Sequence, residues 1–299
     1  MSREFSDSTT IAIMALEELR TQSNKTWEER QYTKSIIAII DVMGIKEWFR
    51  GEPDFATQMK IYKAWEFIIQ SAQLSEVKQD LVEKYGDFPL KYSILSDSIV
   101  VSISVDVPCA FSKLMMYLRM IINSTFVEIN PPFMTRGAIV IGDLFQEGNI
   151  VFGPGLIKAH HMESKVAVNF RHIIDKQDYE FLREDKDEMT QNILIGWFHE
   201  DSDGYYYYDY LKSYLGYVDN RYEAFPDENA GQSGISVLNK INKKIKDEIK
   251  NCADKRVVNK YKWLQKYFKK TMQRAIYKTD EDEHIWLKSA YKEHRGGSK

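Results

Sequence analysis

Cysteine is scarce: only Cys109 and Cys252 occur among 299 residues, far apart and outside any CxxC or Cys–His pattern. That spacing argues against a disulfide framework and a cysteine-based zinc site. No uninterrupted apolar run approaches the length needed to span a bilayer. The polar start, MSREFSDSTT, lacks the apolar stretch of a secretory signal. Gly137, Gly142, Gly148 and Gly153 do not fall at GxGxxG spacing and read as turn and bulge residues. Net charge is only −3, so bulk charge points to no partner. With 43% hydrophobic and 28% charged residues, the expectation is a globular, cytoplasmic protein with free thiols and no membrane partner.

What charge there is lies unevenly. From Asn239 to Arg274 thirteen Lys or Arg stand against three acids, so this stretch is +10 and the remainder −13. A basic helix can bind nucleic acid or an acidic surface. Here it lacks an aromatic stacking motif, so it reads as a solvated helix face, and nucleic acid is not expected as a partner. Tyr261, Trp263, Leu264, Tyr267, Phe268 and Met272 recur near helical spacing and read as its packing stripe.

The most informative segment is SIIAIIDVMG, residues 35–44. An isoleucine-rich run bounded by turn residues predicts a buried strand. Asp41 at its end costs several kcal/mol to bury unless it meets a cation or donors. One or two helices are predicted over 10–30, and a long amphipathic helix over 55–85. Strands follow at 90–95 and 99–105, with Ser96, Asp97 and Ser98 at the turn between them. A helix is predicted over 110–129, a strand over 134–141, a short strand near 149–153 and a helix from Pro154 to about Lys165. Further strands are read at 171–174, 193–198 and in the tyrosine run 205–210, taken as an edge strand packing the C-terminal helices. Residues 216–234 read as a loop. Glu163 reads as a helix-pair or interface contact.

This order is β-α-β-β-α-β with added strands, an α+β, ferredoxin-like arrangement. In such a sheet the first strand lies beside the hairpin of the next two. Asp41 and Asp97 then converge, as a pair of divalent cations about 3.5–4 Å apart would require. Mg²⁺ or Mn²⁺, which prefer oxygen ligands and leave room for substrate phosphates, suit such a pair.

These residues resemble a known family. DVMGI, the SD hairpin and TRGAIVIGD resemble the DIVGF, GD-hairpin and RIGIHTG elements of class III nucleotidyl cyclases. Gly153 to Ser164, GPGLIKAHHMES, lies without a gap over the family's GDTVNxASRMES. The resemblance covers about residues 34–211. It implies a cyclase domain there, a helical segment at 1–33 and a basic helical extension at 212–299. It also implies Asp41 and Asp97 as metal ligands, with the Val42 carbonyl as a third. The backbone at Met43, Gly44 and Ile45 would hold the triphosphate, since amides at a helix start suit anions.

Departures from the family carry equal weight. The position that helps read a purine is Ser93, and its partner is Pro154, which offers neither a side-chain donor nor a carboxylate. The ribose-orienting position is Ile157 and the transition-state Arg position is His161. Arg136 is the alternative to His161, unless it serves in a structural salt bridge. Ser202-Asp203-Gly204-Tyr205 stands where the family has a phosphate-binding lysine. SDS, RGAI and GPxLxxAxxxE resemble the bacterial pyrimidine cyclases of the Pycsar antiphage systems. That resemblance implies conversion of UTP, or alternatively CTP, to the 3′,5′-cyclic nucleotide and pyrophosphate, in a homodimer with shared sites. Two alternatives stand beside it: another nucleotidyltransferase on the same fold, and a degenerate dimer that binds nucleotide without catalysis.

Overall fold

The computed structural model describes residues 31–44, 54–55, 58–59, 62–63, 66, 89–95, 97–127, 133–148, 150–216 and 230–276. The helices expected over 10–30 lie outside the described residues. Of that over 55–85, the described Phe55, Gln58, Met59, Tyr62, Lys63 and Glu66 are helical. Ile45 and Ser96 also lie outside them.

The isoleucine-rich segment forms β1 (Thr33–Met43), longer than its apolar run at both ends. All of Ile36 to Ile40 are buried, so both faces of this strand are covered. The expected hairpin forms β2 (Lys91–Leu95) and β3 (Ser98–Ser104), and α1 (Ala110–Val127) follows. Next, β4 (Met134–Glu147) runs well past the predicted end and turns back through Gly148 into β5 (Ile150–Phe152). Among the described residues the sheet has eight strands; its first four lie in the order β2-β3-β1-β4, every neighbour antiparallel. That is the ferredoxin-like order, and the protein is α+β.

The expected helix from Pro154 splits in two. α2 (Pro154–His161) is regular, and Met162–Val166 is a π-helical turn. Beyond it come β6 (His172–Ile174), α3 (Lys176–Arg183), α4 (Glu188–Trp197), β7 (Phe198–Glu200) and β8 (Tyr206–Tyr208). These strands extend the sheet as β4-β6-β8-β7. The tyrosine strand β8 is therefore interior; among the described residues β7 is the edge strand on that side. The strand expected at 193–198 is mostly α4, because Asp187 caps it, accepting from Thr190 N at 2.9 Å and Thr190 Oγ1 at 2.7 Å.

The basic extension is folded onto this sheet. It comprises α5 (Lys212–Gly216), α6 (Ala230–Asn251) and α7 (Lys255–Ile276). The start of α6 falls in the expected loop, so Gly231 and Gly234 stand inside a helix: tertiary context overrides their weak propensity. On α7, Tyr261, Leu264, Tyr267, Phe268 and Met272 are buried, while Trp263 is half-buried. Tyr267 meets Tyr207 of β8 edge-to-face at 5.4 Å between centroids. Among the described residues no helix is long and apolar enough to cross a membrane.

Candidate active site

Side chains alternate along β1, so Ile37, Ile39 and Asp41 point to one face of the sheet. α2 lies over that face: a Cβ at Gly155 would overlap Ile37 Cδ1 and come within 3.1 Å of the Asp143 carbonyl oxygen. Glycine there lets helix and sheet approach closely. Lys158 fastens the helix through Asp175 at 2.8 Å and Asp178 at 2.7 Å. Asp178 also accepts from Ile141 N at 2.9 Å, joining α2, α3 and β4.

At the end of this face, Asp41 pairs with Ser98 on one side and Arg136 on the other. The turn before Ser98 brings Asp97 alongside, and Val42 N donates to the Asp97 carbonyl oxygen at 3.0 Å. Both acids thus belong to one end of the sheet. Arg136 Nε donates to Asp41 Oδ2 at 2.8 Å. Its Nη2 lies 2.6 Å from Glu163 Oε1, an ion pair that lacks hydrogen-bond alignment. Gly137 beside it admits β6: its N–H donates to the Arg171 carbonyl at 3.0 Å. A Cβ there would overlap the Ile39 carbonyl oxygen and stand 2.8 Å from His172 Cδ2.

Glu163 departs from the helix-pair reading of the sequence. It lies on the π-helical turn, is only 3% exposed, and joins the acid cluster rather than a helix pair. Burial pushes its carboxyl up to about 7; Arg136 opposes this, while Asp41 and Asp97 reinforce it. Arg136 thus faces Asp41 and Glu163, with Asp97 close enough to act on the latter, an excess of negative charge.

The remaining expected residues are dispersed. Met43 is half-buried at the end of β1, and Gly44 turns away with φ +92°. Ser93 is buried on β2, where its hydroxyl accepts from Gln146 Nε2 at 2.8 Å. Gln146 Oε1 in turn accepts from Ser102 Oγ at 2.6 Å. His161 is exposed at the end of α2, and Ile157, one turn earlier on the same side, is 72% exposed. The 202–205 turn joins β7 to β8; Arg171 binds Asp201 at 2.7 Å and also Asp203, so its acids serve a structural cluster.

Hard oxygen donors suit Mg²⁺ or Mn²⁺, and the surplus of carboxylates favours an added cation. Asp41, Asp97 and the Val42 carbonyl are the groups that would hold it. Among the described residues no group of three or more His, Cys, Asp or Glu is arranged to hold a metal ion.

No family model matches this sequence, and no curated protein is significantly similar to it. Among solved structures, part of the chain is similar to the adenylyl cyclase CyaB from P. aeruginosa. The identity is 13% and the TM-score 0.35, over 51% of this chain and 82% of that one.

Proposed function

We propose that this protein is a pyrimidine nucleotide cyclase, converting UTP, or alternatively CTP, to the 3′,5′-cyclic nucleotide and pyrophosphate. The product would serve as a second messenger in antiphage defence. The observation that carries this reading is the meeting of Asp41, Asp97, Arg136 and Glu163 at one end of the sheet. Bound divalent cations would supply Lewis acidity, lowering the pKa of the substrate 3′-hydroxyl and neutralising phosphate charge. Asp41 and Asp97 would hold them. Charge growing on the α-phosphoryl oxygens calls for a fixed cation. Arg136 is one, already anchored by Asp41 and Glu163.

His161 is the other candidate, and its exposure with Ile157 on the outer side of α2 fits a site shared between two protomers. Pro154 at the start of α2 offers no side-chain hydrogen bond for a purine, which favours a pyrimidine. The test is incubation of the purified full chain with Mn²⁺ and each of the four NTPs, followed by mass analysis. Cyclic UMP or cyclic CMP should appear, and Asp41→Ala or Asp97→Ala should abolish it. A folded wild-type protein that turns over none of the four, with phage-derived extract added, would sink the proposal. The Arg136–Asp41 hydrogen bond favours one second reading, nucleotide binding without catalysis. In that case NTPs bind but no cyclic product forms.

A further inference from the structure

α7 carries its lysines in two classes. Lys255, Lys262, Lys266 and Lys270 are exposed, as befits a solvated basic face. Lys269 and Lys260 are instead half-buried, and Lys260 starts a buried stripe. It recurs with Leu264, Tyr267 and Thr271 at helical spacing, and those three side chains are buried. The inward stripe of this helix therefore begins with a lysine. Its lower members are fastened to the sheet region, since Tyr267 and Thr271 both donate to Asp209.

The upper end of that stripe comes to the acid cluster. Tyr261, the next residue, packs its ring on Phe170 at 4.9 Å between centroids. Phe170 precedes Arg171, whose carbonyl is bonded to Gly137 N, and Gly137 follows Arg136. Arg136 and Asp41 are the site groups whose charges act most on Lys260, together with Arg256 and Asp254 of its own helix start. Burial first, then Arg136, hold its ammonium below the usual lysine range, while Asp41 pulls the other way. Among the described residues no carboxylate forms an ion pair with Lys260. A half-buried ammonium with no carboxylate paired to it among the described residues costs free energy that its exposed neighbours on α7 do not bear.

We propose that Lys260 is an anion-binding residue of the candidate site, its ammonium receiving a phosphate oxygen of the nucleoside triphosphate beside Arg136. This assignment rests on the nucleotide reading given above. A lysine suits the task because it is a compact charge with three donors on a flexible stem, able to reach a non-bridging oxygen without bidentate geometry. It also gives the C-terminal helices a place in the chemistry: α7 completes the charge balance of a site whose acids come from the sheet.

The test measures equilibrium binding of UTP, CTP and inorganic triphosphate, with Ca²⁺ present, to the full chain. Variants are Lys260→Gln, Lys260→Met, Lys260→Arg and the exposed control Lys266→Gln. Lys260→Gln should weaken all three ligands about ten- to a hundredfold, the worth of one charge-assisted hydrogen bond. Because inorganic triphosphate has no base, an equal loss for all three marks phosphate rather than base recognition, and rescue by Lys260→Arg separates this from a general structural role. Lys260→Arg should restore most of the affinity, and Lys266→Gln should leave it unchanged. Lys260→Met keeps the length and apolar stem, so it serves if the Gln variant melts early. Nucleotide binding unaltered in the folded Gln or Met variant overturns the assignment and leaves the nucleotide reading standing. Inorganic triphosphate bound through Lys260, with no binding of UTP or CTP, upholds the assignment and overturns the nucleotide reading. A wild-type protein that binds none of the three overturns both.

Discussion

Asp209 is a buried carboxylate, only 1% exposed, placed just after β8. Its Oδ1 accepts from Tyr267 Oη at 2.7 Å and Thr271 Oγ1 at 3.0 Å, and its Oδ2 lies 3.3 Å from His199 Nε2. Tyr267 Oη also accepts from Leu211 N at 3.1 Å. This network fastens α7 to the end of the sheet. Asp209→Ala strands two buried hydroxyl donors, each at about 1–3 kcal/mol, so the expected cost is roughly 2–6 kcal/mol. For a chain of this size each kcal/mol moves Tm by about 2–4 °C, so a fall of roughly 8–16 °C is expected at the middle of that range. Thermal melts followed by circular dichroism check it. The network requires more than a loss: Tyr267→Phe with Thr271→Val leaves Asp209 buried without those donors. The triple variant should therefore cost less than the sum of the separate losses, by about 1–3 kcal/mol of coupling. A Tm change below about 1 °C for Asp209→Ala, or strict additivity in that cycle, would refute the account.

His172 is held neutral by complete burial, its pKa lowered to about 3. The unfolded chain takes up a proton below about 6.5, so this contribution to stability is present above that pH and lost as pH falls towards 3. Between pH 7 and pH 5 the loss is about 2 kcal/mol, and urea unfolding of wild type against His172→Leu at both values should show a difference of that size. Identical pH dependence in both proteins would remove His172 as the cause. At Gly137 an alanine must push against the Ile39 carbonyl oxygen, so Gly137→Ala should cost about 3 kcal/mol in denaturant melts. Gly196→Ala, whose Cβ meets only Lys212 Nζ at 3.8 Å, should be neutral or stabilising by up to about 1 kcal/mol; equal losses at both sites would contradict the contact geometry.

Much of the sheet was legible because its signals are local. An isoleucine run ending in Asp41, a turn at Asp97 and a helix read over 110–129 specify β1, the hairpin and α1 with little tertiary help. The sequence NILIGWF misled because an apolar run so short suits strand or helix equally. The deciding information lay upstream, where Asp187 and Thr190 form the cap of α4. Glu163 misled for a different reason. A regular helix through 165 was expected, but the π-helical turn widens the winding from Met162, changing the direction in which each later side chain points. No charge pattern in HHMESK signals that change.

Site residues divide by how their neighbours are set. Arg136 and Asp41 lie 95 positions apart, yet their pairing follows from strand order: βαββαβ places β4 beside β1, and antiparallel register does the rest. With the register in hand, Arg136 was bound to meet Asp41 across the pair. Lys260 obeys no such rule. Helical spacing marks it as the odd member of an inward stripe, a signal present in the sequence but masked by the net charge of the helix. Where that stripe points depends on how α7 docks, through Tyr261 on Phe170, Tyr267 on Tyr207 and the buried Asp209. Each of these contacts joins residues 58 or more positions apart or crosses from helix to sheet, and none is periodic. Local sequence therefore names the charged groups, sheet topology pairs those that lie on strands, and aromatic packing alone decides which lysine of a basic helix faces the acids.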